Sequence, residues 1–246
     1  MESDTLKEDL INTLRIMKAE EFPVLVGEVL HFFVRKEKTP VENNLLAEKL
    51  KELKAQEIVY TNDEGFISLS KNITDKVQHR FKLEEVTKER VRYAQKLLKG
   101  LESVPFLRFV GIIGSAPLGR ITENESIKLI LIVENETPYL SKFLVENYLW
   151  ARFALKNFQV DSIFETNNLM WCPSNSENGI KILNILPIIN KDKTYESFIA
   201  ANNWIFEIFT NYPLEKVSWG FRVSKNIENN VPQIFRWING FLRPRG

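Results

Sequence analysis

The residues able to do covalent or metal chemistry are few in this chain of 246 residues. Cys172 is the only cysteine, which excludes an internal disulfide and a multi-cysteine zinc site. It lies between Trp171 and Pro173 and reads as a packed or incidental thiol. His31 and His79 are the only histidines, so transition-metal chemistry has few ligands. His31 sits in the apolar run LVGEVLHFFV and reads as structural; His79 sits in a charged stretch and reads as solvated. Ser115 has no histidine within motif distance, so a serine nucleophile has little support. The informative segment is Gly111 to Val133, GIIGSAPLGRITENESIKLILIV. One strand ends at Gly114-Ser115, a turn follows with Gly119 four residues after Ser115, and a second apolar strand begins near Ile127.

The elements that position this segment follow from periodicity. From Phe106 the pattern alternates: FLRFVGIIG and IKLILIVE as strands, a helix from about Ser141 to Leu155, then FQVDSIFE as a third strand. That is an α/β or α+β domain. Before it, residues 74 to 101 read as one long charged helix, with Val77, Phe81, Val91, Ala94, Leu97, Leu98 and Leu101 at its apolar positions. Between Lys71 and Lys99 there are nine Lys/Arg against four Asp/Glu, the most basic stretch of the chain. It reads as a solvated face, with a polyanion-binding strip as the alternative. Residues 5 to 34 read as two helices with Leu6, Leu10, Leu14 and Met17 on one side. Thr39-Pro40-Val41-Glu42 reads as an N-cap followed by proline at the first helical position, opening a third helix with Leu45, Leu46, Leu50 and Leu53. EIVYTNDEGFISLS then reads as a hairpin, and helix, helix, helix and hairpin together describe a winged helix-turn-helix. The C-terminal quarter reads as helical near Tyr195 to Phe209 and Val231 to Leu242, and carries Trp204, Trp219 and Trp237; Trp204 and Trp237 read as core.

Composition narrows the function classes. The chain is 44% apolar and 26% charged, ordinary for a folded globular protein, and its formal net charge is +1. No global field therefore draws it to nucleic acid or an anionic membrane, and any such contact needs a local patch. The acidic N-terminus MESDTLKEDL does not resemble a signal peptide, and Ile127 to Val133 is too short to span a bilayer, so a cytoplasmic location without membrane contact is expected.

Gly114-Ser115, then Gly119, a polar loop and an apolar strand resemble the nucleotidyltransferase superfamily, the group that includes polymerase beta-like enzymes. Its members show Gly-Ser, three residues, Gly, then Ser-Asp-x-Asp-Leu entering a strand. The order of elements looks like a bacterial subgroup in which a winged helix precedes the transferase domain. The resemblance implies an α+β fold: a winged helix over residues 1–72, a linking helix over 73–102, a nucleotidyltransferase-like mixed sheet over 103–190 and a C-terminal helical region over 191–246. It also implies that the Gly114-Ser115 turn stands at a helix start, where free N–H groups and a hydroxyl grip phosphate. The candidate phosphate-binding residues are Gly114, Ser115, Gly119, Arg120 and Lys128.

The same alignment places Ser126 and Lys128 where the family carries two metal-binding aspartates. Carboxylates two apart on a strand point the same way and hold the ions that bridge a triphosphate. A serine and a lysine cannot, and a cation near Lys128 meets repulsion. A one-residue slip, bringing Glu125 and Ile127 to these places, restores only one carboxylate. Asp161 reads as a strand-end aspartate or as a residual third carboxylate. Lys128 with Arg120 offers fixed cations in place of the metal. The expectation is a catalytically impaired relative that binds a nucleotide, a nucleic acid or a protein partner, with no cofactor. The alternatives are an active nucleotidyltransferase with a rebuilt, magnesium-dependent site and a DNA-binding regulator. The DNA reading is weakly supported, since VENNLLAEKLKELKAQE carries four glutamates against three lysines. A protein partner fits the winged helix better.

Overall fold

A computed structural model of the chain describes residues 2–213 and Leu242. The helix expected from Val231 to Leu242 lies outside the described residues apart from Leu242, and Trp219 and Trp237 lie wholly outside them. The described chain is mixed α/β and forms two compact units. One holds the residues up to Lys82, Cys172–Ile180 and 203–213; the other holds Leu83–Trp171, Lys181–Asn202 and Leu242.

The first unit begins with α1 (Glu2–Ile16), β1 (Val24–Leu25), α2 (Val26–His31), α3 (Asn43–Ala55), β2 (Tyr60–Thr61) and β3 (Phe66–Ser68). The three short strands form an antiparallel sheet in the order β1-β3-β2. Leu6, Leu10 and Leu14 recur every four residues on α1, and all three are buried against Leu46, Leu50 and Leu53 of α3 and Ile67 of β3 in one core. Burial of each such side chain contributes roughly 1.5–3 kcal/mol.

The third helix starts later than its sequence suggests. Thr39 and Pro40 do not cap it; Glu42 is the N-cap and Asn43 the first helical residue. The Asn211 side chain accepts from the Val41 N–H at 3.0 Å and donates to the Val41 carbonyl at 2.6 Å. Both backbone groups of Val41 are thereby committed to a partner outside the helix, which holds the approach to α3 extended.

The second unit takes its helical cover from the later part of α4 (Ile73–Leu98), which begins in the first unit. Its sheet comprises β4 (Leu107–Ile113), β5 (Ile127–Val133), β6 (Phe158–Glu165) and β7 (Leu186–Asn190) in the order β6-β5-β4-β7. β4 is antiparallel to both neighbours, and β5 and β6 are parallel, joined through α5 (Pro138–Trp150). Parallel strands need such a crossover. On β5, Ile127, Leu129, Leu131 and Val133 enter a core with Ala94 and Leu98 of α4 and Val145 and Leu149 of α5.

Helix α5 occupies 138–150 rather than 141–155. Pro138 opens it from the first helical position, and it ends where Phe153 turns left-handed at φ 56° and the Ala154 N–H returns to the Leu149 carbonyl. Two further elements, α6 (Ser176–Leu183) and β7, are too short to register as periodic patterns. The helix expected near 195–209 is two, α7 (Thr194–Ala201) and α8 (Ile205–Ile208). They are separated at buried Asn202, whose amide donates to the Leu169 and Phe198 carbonyls and accepts from the Trp171 N–H. Trp204 is half-buried at the start of α8. Among the described residues no helix is long and apolar enough to cross a membrane.

One buried charge generates a test. Asp9 of α1 is 2% exposed, accepts a hydrogen bond from the Lys36 backbone N–H, and has no partner for Oδ2. Burial raises its carboxyl above the ordinary range, against the opposing pull of Lys36 and Arg35. The folded state therefore holds the proton more tightly than the unfolded one, so this group's contribution to stability falls as pH rises from the unfolded value through the native one. In Asp9→Asn the contribution is absent. Urea unfolding from about pH 4 to about pH 7 is expected to show the variant gaining on the wild type as pH rises.

Candidate functional site

The turn between β4 and β5 and the first residues of β5 gather most of the residues singled out by sequence. Gly114 and Gly119 are left-handed, at φ 81° and 72°, a region that L side chains enter at a cost of roughly 1–2 kcal/mol. No helix starts after Gly114-Ser115; residues 114–119 are turns. The Leu118 and Arg120 N–H groups donate to the Ser115 carbonyl at 3.2 and 2.9 Å, and the Gly119 N–H to the Ala116 carbonyl at 3.1 Å. These donors close the turn on itself, so they are not the free helix-start amides that the family resemblance implies. The Ser115 hydroxyl donates to Glu125 Oε1.

The later part of α4 pins the loop. The Ile121 N–H donates to Thr87 Oγ1 at 3.2 Å, and Arg90 donates to the Thr122 carbonyl. A methyl group on Gly119 would lie 3.1 Å from Glu84 Cγ, tighter than ordinary packing.

Ser126 directly precedes β5 and Lys128 is its second residue; both are partly exposed, while Ile127 and Leu129 turn to the core. The Ser126 hydroxyl donates to the Lys156 carbonyl at 3.1 Å. Lys128 Nζ lies 3.9 Å from Asp161 Oδ1. Asp161 is not at a strand end: it lies within β6, where pairing passes from Leu129↔Val160 to Ile130↔Ser162, making it the extra residue of a β-bulge. A bulge re-aims a side chain, and here the carboxylate meets the lysine one residue off the ladder. Ser162 Oγ donates to the other oxygen of Asp161 at 3.1 Å. The Lys128 side chain is 42% exposed and that of Asp161 28%. An ion pair this open contributes about 0–1 kcal/mol, so Lys128 is readily redirected to an anionic ligand.

The residues present do not fit a two-ion magnesium site. A lysine and a serine stand at the aligned carboxylate positions, Asp161 is engaged by Lys128, and Glu125 accepts from Ser115. Among the described residues no three His, Cys, Asp or Glu side chains come together as a metal site. Glu125, Thr87 and Arg90 are partners that sequence reading missed, because hydrogen bonds across a loop leave no periodic signal. Of the remaining candidates, Cys172 and His79 are exposed, and His31 packs edge-on to Tyr212 at 6.4 Å.

A cleft of about 360 Å³ in the first unit is lined by Leu6, Arg35, Pro40, Val41, Glu42, Leu45 and Lys49. No protein-family model matches the chain, and no curated protein or solved structure is similar to it at a significant level.

The turn's geometry predicts its sensitivity. Gly114→Ala forces a Cβ into the left-handed region, with Lys128 Cδ 3.4 Å away. A loss of about 1–2 kcal/mol in unfolding free energy is expected, read from the shift in the urea midpoint at constant slope.

Proposed function

We propose that this chain is a nucleotidyltransferase-like protein that has exchanged its metal-binding carboxylates for a lysine-centred anion site, and that it works by binding rather than by nucleotidyl transfer. The observation that carries the reading is the open Lys128–Asp161 pair beside Ser126, since Ser126 and Lys128 align by sequence with the superfamily's two aspartates. The mixed sheet supports it: two antiparallel strands joined by a glycine turn, then a helical crossover to a parallel strand. The reading for the first unit is a winged helix, supported by the element order α1-β1-α2-α3-β2-β3 and the sheet order β1-β3-β2.

On this reading the ligand is a nucleoside triphosphate or a related polyphosphate. Lys128 leaves Asp161 and supplies the charge that magnesium supplies in the enzymes, and Arg120, at the end of the same turn, is a second fixed cation. The winged helix serves protein contact better than DNA contact. Lys49 of α3 pairs with Glu52 at 2.6 Å, and Glu52 also takes Lys7 at 2.9 Å, so part of the helix's positive charge is spent within the unit. Phosphate contacts need that charge free.

Calorimetric titration of the whole chain with ATP and GTP, with and without magnesium, tests the proposal. Binding independent of magnesium and without pyrophosphate release is expected. Magnesium-dependent binding with pyrophosphate release would favour the active enzyme. Ser126→Asp with Lys128→Asp is expected to weaken metal-free binding roughly 10- to 100-fold, the loss of one charge-assisted contact. Unchanged binding removes Lys128 from the mechanism.

A further inference from the structure

The second unit carries a surface that the nucleotide reading leaves unused. Arg92 and Lys96 in the second half of α4, and Lys99 directly after its end, are exposed and spread over about 10 Å. This half of α4 is bound to the end of α5. The Tyr148 hydroxyl donates to the Leu97 carbonyl at 2.8 Å, and the Arg152 guanidinium lies over the Tyr148 ring at 3.6 Å. Tyr93 stacks on Phe158 with ring centroids 6.5 Å apart and planes 27° apart, and remains 47% exposed. Between Tyr148 and Phe158 runs the α5–β6 connection, where Trp150 is 68% exposed and Phe153 is 93% exposed, with Arg152 and Lys156 beside them also exposed.

Large aromatic groups so far out in water are not explained by the unit's core, and among the described residues no ion pair engages Arg92, Lys96, Lys99, Arg152 or Lys156. From Leu83 onward the acidic side chains of these elements are Glu84, Glu85 and Glu89 of α4 and Glu146 of α5. Glu84 lies against Gly119, and Glu146 lies 3.8 Å from Lys142. We propose that the second half of α4 and the end of α5 with the α5–β6 connection form a binding surface for single-stranded nucleic acid, with Tyr93, Trp150 and Phe153 as stacking platforms and Arg92, Lys96, Arg152 and Lys156 as phosphate contacts. The assignment rests on charge complementarity and on form. Cations strung along a helix axis match a linear polyanion; the Tyr93 ring is held against Phe158 on one side, and the exposed Trp150 and Phe153 rings offer open faces to a base. Duplex DNA keeps its base faces stacked inside and uses only the cations.

The test uses the whole chain and a fluorescently labelled oligothymidylate followed by anisotropy over a salt series. Binding is expected, with a slope of log K against log salt of roughly −2 to −3 for the four cations named. Trp150→Ala with Phe153→Ala is expected to weaken binding about 10-fold or more without altering the salt slope, since stacking is lost and charge is kept. Phe153→Trp is expected to retain it. Arg92→Glu with Lys96→Glu is expected to weaken binding and flatten the slope. Three results overturn the proposal: no binding at low salt, equal binding of duplex with the aromatic pair indifferent, or capture by phosphatidylserine vesicles in place of the oligonucleotide. The ATP titration reads Ser126 and Lys128, whereas this experiment reads only residues outside that turn, so the two readings fail separately.

Discussion

The second unit depends on the burial of β4 and β5 on both faces. Apart from Arg108 and Lys128, each near the start of its strand, every residue of the two strands is buried. A strand in this position has no tolerance for charge along its length, so polar groups are driven to the two rims of the sheet. The rims are built differently. At one, Arg108 reaches Glu134 and, at 2.7 Å, Asp192, bracketing the end of β5 and the start of the turn after β7. At the other, Lys128 and Asp161 stand 3.9 Å apart and half-open to water. The first rim locks strand ends together; the second leaves a cation whose partner is easily displaced. The candidate site lies at the second.

That loose rim is nevertheless held in place. The turn from Gly114 to Arg120 is closed by the Leu118, Gly119 and Arg120 amides, which bond to carbonyls within it, so its shape does not wait for a ligand. Thr87 and Arg90 fix the following loop from one helix, and the Lys156 carbonyl fixes Ser126 from another connection. Groups positioned by independent elements bring preorganised charge to a ligand and lose little entropy on binding. Ser126 and Lys128 face away from the core, so their identities set the chemistry of the rim and leave the packing of Ile127 and Leu129 untouched.

The long apolar runs at 107–113 and 127–133 and the four-residue repeat of leucines in α1 were legible from sequence because burial imposes a period. Short elements carry no such signal: β7 holds five residues, one of them Pro187, and α6 spans eight. The start of α3 was misread because Thr39-Pro40 is a sound local cap, and the amide of Asn211, 170 residues away, overrides it. The site was legible as a set of positions but not as a set of contacts. Lys128 and Asp161 were both visible in the sequence, yet their meeting depends on a one-residue bulge in β6, which no spacing rule announces.

A formal net charge of +1 says little about what such a chain binds, because charge acts over about 8 Å at physiological ionic strength. Within that range the surroundings differ sharply. Glu52 lies between Lys7 and Lys49, which hold its carboxyl below the ordinary range, so the charges of α1 and α3 are largely matched among themselves. Arg92, Lys96 and Lys99, and Arg152 and Lys156, are exposed on two stretches of chain joined by the Tyr148–Leu97 hydrogen bond. A folded chain gains nothing by crowding like charges onto neighbouring elements; self-repulsion there subtracts from stability. Where that cost is accepted beside exposed aromatic rings, an anionic ligand supplies the missing counter-charge.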